Sequence, residues 1–186
     1  IEAKEQVDNF ERIVQKFRRI RVNRFLDVAC GPSLQLREIA RRGYEAIGLD
    51  LYPEMLKYLR KKAREEELRI KTIKADMYSF RLKQKVDFAF IMMGSLDAES
   101  NDKFLSHLDS VAASLNEGGL YFVQNVTLDW RKKTKQRWTR KRNGITVKTS
   151  FETHFKDILN QIYTEKMTLE VNDHGQMKKL VQEEDL

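Results

Sequence analysis

Cysteine occurs once in these 186 residues, at Cys30, so no internal disulfide can staple the fold and the chain suits a reducing, cytoplasmic compartment. Histidine is scarce as well. His107, His154 and His174 show neither an H-x-x-x-H spacing nor paired cysteines, so no metal site is expected. No apolar run approaches the length of a membrane span and nothing resembles a signal peptide, which excludes a membrane partner from the expectations. Only two prolines, Pro32 and Pro53, and eight glycines punctuate the chain. Hydrophobic residues make up 41% and charged ones 34%, a soluble, globular balance, and the length suits one domain with a substantial core. The chain opens on Ile1 rather than methionine, and the expectation is that it is a piece of a longer protein.

The net charge of +7 is a local property. Arg131, Lys132, Lys133, Lys135, Arg137, Arg140, Lys141 and Arg142 bring eight cations into one segment without an acid, and outside it 27 basic residues face 28 acidic ones. Flanked by Trp130 and Trp138, this segment suits either phosphate contacts with base stacking or the solvated outer face of a hairpin. The second reading is preferred, because no recognised RNA-binding module accompanies the patch.

The most informative stretch runs from Arg24 to Asp50. Residues 24–29 read as a short buried strand, Cys30-Gly31-Pro32-Ser33 as a tight turn, and 34–42 as a helix with Leu36, Ile39 and Ala40 inside. Gly43 stops that helix. A second strand, Glu45 to Leu49, ends on Asp50. Such a βαβ unit opens a crevice at the carboxyl ends of its strands, and an acid 19 residues after Gly31 stands where a carboxylate meets ribose hydroxyls. An adenosine-type cofactor follows. It is not a dinucleotide, because a pyrophosphate cradle wants G-x-G-x-x-G and here only Gly31 is glycine.

Elsewhere, residues 2–20 carry Val7, Phe10, Val14 and Phe17 at helical spacing. Pro53 starts a helix with Leu56, Leu59 and Ala63 inside. Strands are expected at 69–75, 86–92 and 120–125. Between the last two, Ser100 or Asn101 caps a helix expected to bury Phe104, Leu105, Leu108, Val111, Ala112 and Leu115, and to turn His107 outward. The alternation implies a doubly wound, mostly parallel sheet over residues 1–126. After Val126 the period becomes two. Asn143-Gly144 signals a hairpin that sets Trp138 with Ile145, Val147 and Phe151 on one face, and Lys135, Arg137 and Lys141 with Thr146 and Lys148 on the other. Residues 162–171 alternate with Tyr163, Met167, Leu169 and Val171 on one side, and 172–175 turn into a last strand, 176–181. Residues 127–186 thus form an antiparallel appendage of three or four strands.

The runs Asp27-Val28-Ala29-Cys30-Gly31-Pro32-Ser33 and Gly48-Leu49-Asp50-Leu51-Tyr52-Pro53-Glu54-Met55-Leu56 resemble the class I S-adenosylmethionine-dependent methyltransferases, small-molecule branch. That branch commonly reads D-x-A-C-G-T-G and G-x-D-x-S-x-x-M-L at these places, so Pro32-Ser33 and Tyr52 are departures. Gly118-Gly119 matches a further landmark. The resemblance implies a Rossmann-like fold, S-adenosyl-L-methionine as cofactor, and an antiparallel sheet over the substrate opening. It implies that Ala29, Cys30 and Gly31 meet the methionine part, Asp50 the ribose, and Leu51 and Met55 the adenine. Asp76 would accept from the adenine amino group with Met77 beside it, and Met93 would line the methyl-transfer channel. Cys30 is read as a small packing residue, since no adjacent base would activate it.

In-line methyl displacement depends on alignment more than on a base. A neutral amine can attack and lose its proton afterwards, whereas an alcohol usually needs a base. Asp97 and Glu99 could meet an amine substrate, but no catalytic residue is named. The leading expectation is an enzyme that methylates a small molecule, an amine among the candidates. The alternatives are an RNA methyltransferase gripping through segment 131–142, or a catalytically silent cofactor- or RNA-binding module, which the loss of Thr-Gly after Gly31 would favour. The sequence specifies neither the acceptor atom nor an oligomeric state.

Overall fold

The structure, a computed structural model, describes residues 3–96, 100–124, 133–159 and 162–185. The positions of Asp97, Glu99, Trp130, Arg131 and Lys132, singled out above, lie outside the described residues. By its contacts the chain divides into two compact units, Ile1–Val126 and Thr127–Leu186.

In the first unit, α1 (Ala3–Phe17) precedes β1 (Arg24–Val28), α2 (Leu34–Arg41), β2 (Glu45–Asp50), α3 (Pro53–Glu65), β3 (Ile70–Lys74), β4 (Val86–Ile91), α4 (Asn101–Ser114) and β5 (Leu115–Val123). The five strands form one sheet in the order β3-β2-β1-β4-β5, and every pairing is parallel. The sheet is therefore a doubly wound, Rossmann-like one. The chain leaves β1 toward β2 on one side and leaves β4 toward β5 on the other, so the strand order reverses between β1 and β4, where this topology opens a crevice.

Each face has its own core. On one, Leu36 and Ile39 of α2 and Leu56 and Leu59 of α3 pack with Phe25, Ala46, Phe88 and Phe90 of the strands. Phe10 fixes α1 to the same face, its ring centroid 5.4, 4.7 and 5.3 Å from those of Phe88, Phe90 and Phe122. On the other, Leu26, Val28, Ile47, Leu49, Ala89 and Ile91 pack with Phe80, Leu96 and Val111. Strands buried on both faces read as nearly unbroken apolar runs, which is why they were visible in the sequence.

Local chemistry explains the ends of the helices. Arg42 is the C-cap of α2, and Gly43 follows at φ +85°; its N–H donates to Ala40 O and that of Tyr44 to Ile39 O, the paired bonds of a Schellman motif. Pro53 begins α3, and the Ser100 hydroxyl caps α4 by accepting from Lys103 N.

In this unit two expectations need correction. The fifth strand starts at Leu115, directly after α4, rather than at Leu120. Val86 pairs with Leu115 and Phe88 with Leu120, so residues 116–119 bulge out between them, with Gly118 at φ +81°. Helix α4 is also rotated from its apolar stripe. It buries His107, Ser110, Val111 and Ser114, while Phe104 and Leu105 are 39% and 57% exposed.

The second unit is a four-stranded antiparallel sheet, β6 (Thr134–Arg142), β7 (Ile145–Asp157), β8 (Ile162–Asp173) and β9 (Gln176–Asp185), in chain order. Tight turns join β6 to β7 and β8 to β9, with positive φ at Asn143 (48°) and Gly144 (77°) and at His174 (49°) and Gly175 (94°), the signature of type I′. The register opposes Trp138 to Thr149 and Arg142 to Ile145, so Trp138 shares a face with Ile145, Val147 and Phe151, and Lys135, Arg137 and Lys141 share the other. The last strand runs to Asp185, beyond the expected Val181.

Candidate functional site

The crevice is built from the turns that follow β1, β2, β3 and β4. After β1, the backbone alternates in and out of the left-handed region, with φ 55° at Ala29, 51° at Gly31 and 27° at Ser33. Cys30 N donates to Leu49 O at 2.9 Å, and Ser33 N to Cys30 O at 3.1 Å. Gly31 N donates to Asp50 Oδ2 at 2.7 Å. With those amides engaged and Pro32 lacking one, the turn has little to offer a pyrophosphate.

Asp50 is the hub. It is only 6% exposed, and its Oδ1 accepts from Tyr52 N at 2.8 Å, so one carboxylate ties the turn after β1 to the turn after β2. A carboxylate has about four lone-pair positions, which leaves acceptor capacity for ribose hydroxyls. At Gly31 a side chain would meet no atom within 4 Å, so the glycine borders open space where a ligand can approach the backbone. Leu51 and Met55 beside Asp50 are 50% and 43% exposed, an apolar surface ready to be covered.

After β3, Asp76 is exposed and shapes its own turn, its Oδ1 accepting from Tyr78 N at 2.9 Å. Met77 is half-buried against the core. After β4, Met93 sits at φ 60° and is 80% exposed, its N–H directed at Gln124 Oε1 at 3.4 Å. The expected residues from Ala29 to Met77 thus lie at or just beyond the carboxyl ends of three adjacent strands, Met55 on the first turn of α3, and Met93 follows the fourth.

Cys30 packs. A Cβ on Gly48 would lie 2.8 Å from its sulfur, 2.9 Å from Leu36 Cδ1 and 3.1 Å from Leu59 Cδ2, so the glycine of the second strand is there to admit Cys30. Burial pushes the thiol well above its ordinary range, which removes it as a nucleophile.

Asp27 was not among the expected site residues. It lies 5% exposed beneath the turn, and Ser33 Oγ donates to its Oδ2 at 2.6 Å while accepting from Leu36 N at 3.0 Å. Burial pushes its pKa up to about 8, Ser33 pulls it back, and the charge of Asp50 adds to the rise. The signal was a lone carboxylate set between the apolar residues Leu26 and Val28 of a buried strand.

A cavity of about 610 Å³ lies elsewhere, between α1 and the edge strand β5, lined by Ile13, Phe17, Leu120 and Phe122 among others. It is not part of the crevice. Among the described residues no group of three or more His, Cys, Asp or Glu could hold a metal, and no helix is long and apolar enough to cross a membrane. On the second unit, Lys135 pairs with Glu152 at 2.6 Å, whereas Arg137, Arg140, Lys141 and Arg142 form no ion pair among the described residues.

Residues 25–119, just over half of the chain, match the family model described as a methyltransferase domain. The chain belongs to that family. Ubiquinone biosynthesis O-methyltransferases of Xanthomonas campestris and Xanthomonas axonopodis are 28% identical to it over 110 residues, which are 55% of this chain and 43% of theirs. The chain thus spans less than half the length of these relatives. Among solved structures, DesVI of Streptomyces venezuelae superposes with a TM-score of 0.80 at 20% identity, over 99% of this chain and 76% of that one. CalS10, an amino pentose methyltransferase of Micromonospora echinaspora, gives 0.78 at 20% identity, over 100% and 76%. An S-adenosylmethionine-dependent methyltransferase of Clostridium acetobutylicum gives 0.73 at 17% identity, over 100% and 74%. At these identities the superpositions establish a shared fold.

Proposed function

We propose that this methyltransferase domain binds S-adenosylmethionine in the crevice and directs its methyl group to an amine on a small molecule. The observation that carries the reading is Asp50, a nearly buried carboxylate at the crevice mouth with acceptor capacity to spare, beside the open face of Gly31. In this reading Asp50 accepts from the ribose hydroxyls, and Leu51 and Met55 flank the adenine. Asp76 accepts from the adenine amino group with Met77 alongside. Ala29, Cys30 and Gly31 present backbone to the methionine part, and Met93 lines the path to the acceptor. When bound, the sulfonium supplies an electrophilic methyl carbon for in-line displacement. The contribution of the chain is to hold that carbon in line with the acceptor and to exclude water.

An amine is favoured over a hydroxyl on two grounds. A neutral amine needs no base before attack. The solved structures that share this fold over the length of the chain include a sugar N-methyltransferase and an amino pentose methyltransferase. The second unit is accordingly assigned to acceptor selection. A second reading, an RNA acceptor, rests on the cations of β6 that form no ion pair among the described residues.

Calorimetry on the full-length protein tests the cofactor, with tight binding expected for S-adenosylmethionine and S-adenosylhomocysteine. Binding of NAD without binding of the sulfonium would overturn the reading. A tritiated-methyl transfer screen against amino sugars, other amines and total RNA then tests the acceptor, with label expected in the amine pools.

A further inference from the structure

Helix α4 turns a polar side toward the body of the protein, and that side grips the loop after β3. His107 is fully buried. Its Nδ1 lies 2.9 Å from Met77 O, and its Nε2 lies 2.5 Å from Tyr121 Oη. A carbonyl can only accept, so Nδ1 carries the proton and donates; in the neutral ring Nε2 then accepts from the Tyr121 hydroxyl. Burial lowers the pKa of the ring, which favours this neutral form. Both nitrogens are engaged, and one tautomer satisfies both partners.

The neighbours of His107 on the helix complete the grip. Ser106 Oγ donates to Tyr78 O at 2.7 Å, Ser110 Oγ donates to the same carbonyl at 3.2 Å, and Phe80 N donates to Ser110 Oγ at 3.4 Å. Loop residues 77–80 lie outside β3 and β4, so Met77 O, Tyr78 O and Phe80 N find partners on the helix rather than in the sheet ladder. The loop starts at Asp76, whose Oδ1 is already used to turn the chain at Tyr78 N. Moving Met77 O would therefore swing the peptide next to the Asp76 carboxylate.

We propose that His107 is a positioning residue for adenine recognition: by holding Met77 O, with Tyr121 securing the tautomer, it sets the direction in which Asp76 is offered to the adenine amino group. This rests on the reading of Asp76 as the adenine contact. Among the described residues, Tyr121 and the ring of Tyr78 are the titratable groups that face His107, the Tyr78 ring centroid lying 6.4 Å away.

The test is calorimetry on the full chain with two ligands, S-adenosylhomocysteine and its analogue lacking the 6-amino group. In the wild type, loss of that group should weaken binding by about tenfold or more, the scale of a hydrogen bond to a carboxylate. His107→Leu should weaken S-adenosylhomocysteine binding by a similar factor and shrink the penalty for the missing amino group to under about threefold. His107→Asn keeps an N–H near the Nδ1 position and should retain most of the penalty, whereas His107→Gln places its amide nearer Nε2 and should lose it. Nitrogen NMR of the wild type should show a neutral ring protonated at Nδ1. Wild-type affinity in a folded His107→Leu protein, or weaker binding with the penalty unchanged, would overturn the proposal. Should the Leu variant not fold, equal penalties in the Asn and Gln variants would overturn it. A wild type that binds S-adenosylhomocysteine with no amino-group penalty refutes the role of Asp76 and the proposal with it, while a wild type that does not bind refutes the cofactor reading itself.

Discussion

Asp27 should make this protein less stable as pH rises, and replacing it with asparagine should remove the effect. Its pKa stands at about 8 in the folded protein against an ordinary 3.8, because burial disfavours the charge. Between those values the folded state holds a proton that the unfolded chain has released, so stability is greatest below about 4 and falls as pH rises toward 8. From pH 6 to pH 8 the loss works out at about 2 kcal/mol. Asp27→Asn imitates the protonated side chain, keeping an oxygen that can accept from Ser33 Oγ, and carries no charge at any pH. Urea unfolding at pH 6, 7 and 8 should show the Asn variant gaining on the wild type by that amount across the range. Taking the difference between the two proteins cancels the other titrating groups. Ser33→Gly supplies the converse: it relieves the backbone at φ 27° but removes the donor, so its cost should be larger at pH 8 than at pH 6, though by no more than about 0.4 kcal/mol, because a carboxyl with a pKa of about 8 is only half ionised at pH 8. A wild-type-minus-Asn difference that stays flat with pH would refute the burial argument.

Asp50→Ala should weaken S-adenosylhomocysteine binding by about 2–4 kcal/mol in calorimetry, and it should also lower the unfolding midpoint, because it strands the amides of Gly31 and Tyr52; unchanged affinity would remove Asp50 as the ribose anchor. Gly48→Ala should destabilise by about 1–3 kcal/mol in urea, with Cys30→Ala recovering part of it by clearing the atom 2.8 Å from the new methyl; no recovery in the double variant would refute that contact as the cause. Changing Lys135, Arg137 and Lys141 together to Gln should leave small-molecule methylation intact and RNA affinity weak, as before the change. Tight, salt-sensitive RNA binding that the triple variant abolishes would instead establish the hairpin as a nucleic-acid grip.

The parts of the molecule that were legible in the sequence are those where one rule decides each residue. The inner strands β1, β2 and β4 are covered on both faces and show as largely apolar runs, Gly43 stands where a Schellman turn needs positive φ, and Asn143-Gly144 fixes a register by itself. Helix α4 was misread because the apolar-stripe rule assumes a hydrophobic surface opposite. Its partner includes a loop whose carbonyls need donors, so His107, Ser106 and Ser110 serve it, and Phe104 and Leu105 are left outside. The start of β5 was missed because Gly118-Gly119 reads as a helix stop, whereas those residues are a bulge within a strand that has already begun. For the site, the spacing from Gly31 to Asp50 was visible, but the second duty of Asp50, binding two backbone amides, was not. That duty depends on two turns meeting in space.

That second duty has a consequence for how a ligand is received. Because Asp50 joins the two turns within the protein itself, the entropy of fixing them is spent during folding, and on the proposed reading a nucleoside would meet turns that are already tied together. Binding at this rim would then not carry the cost of ordering those two turns.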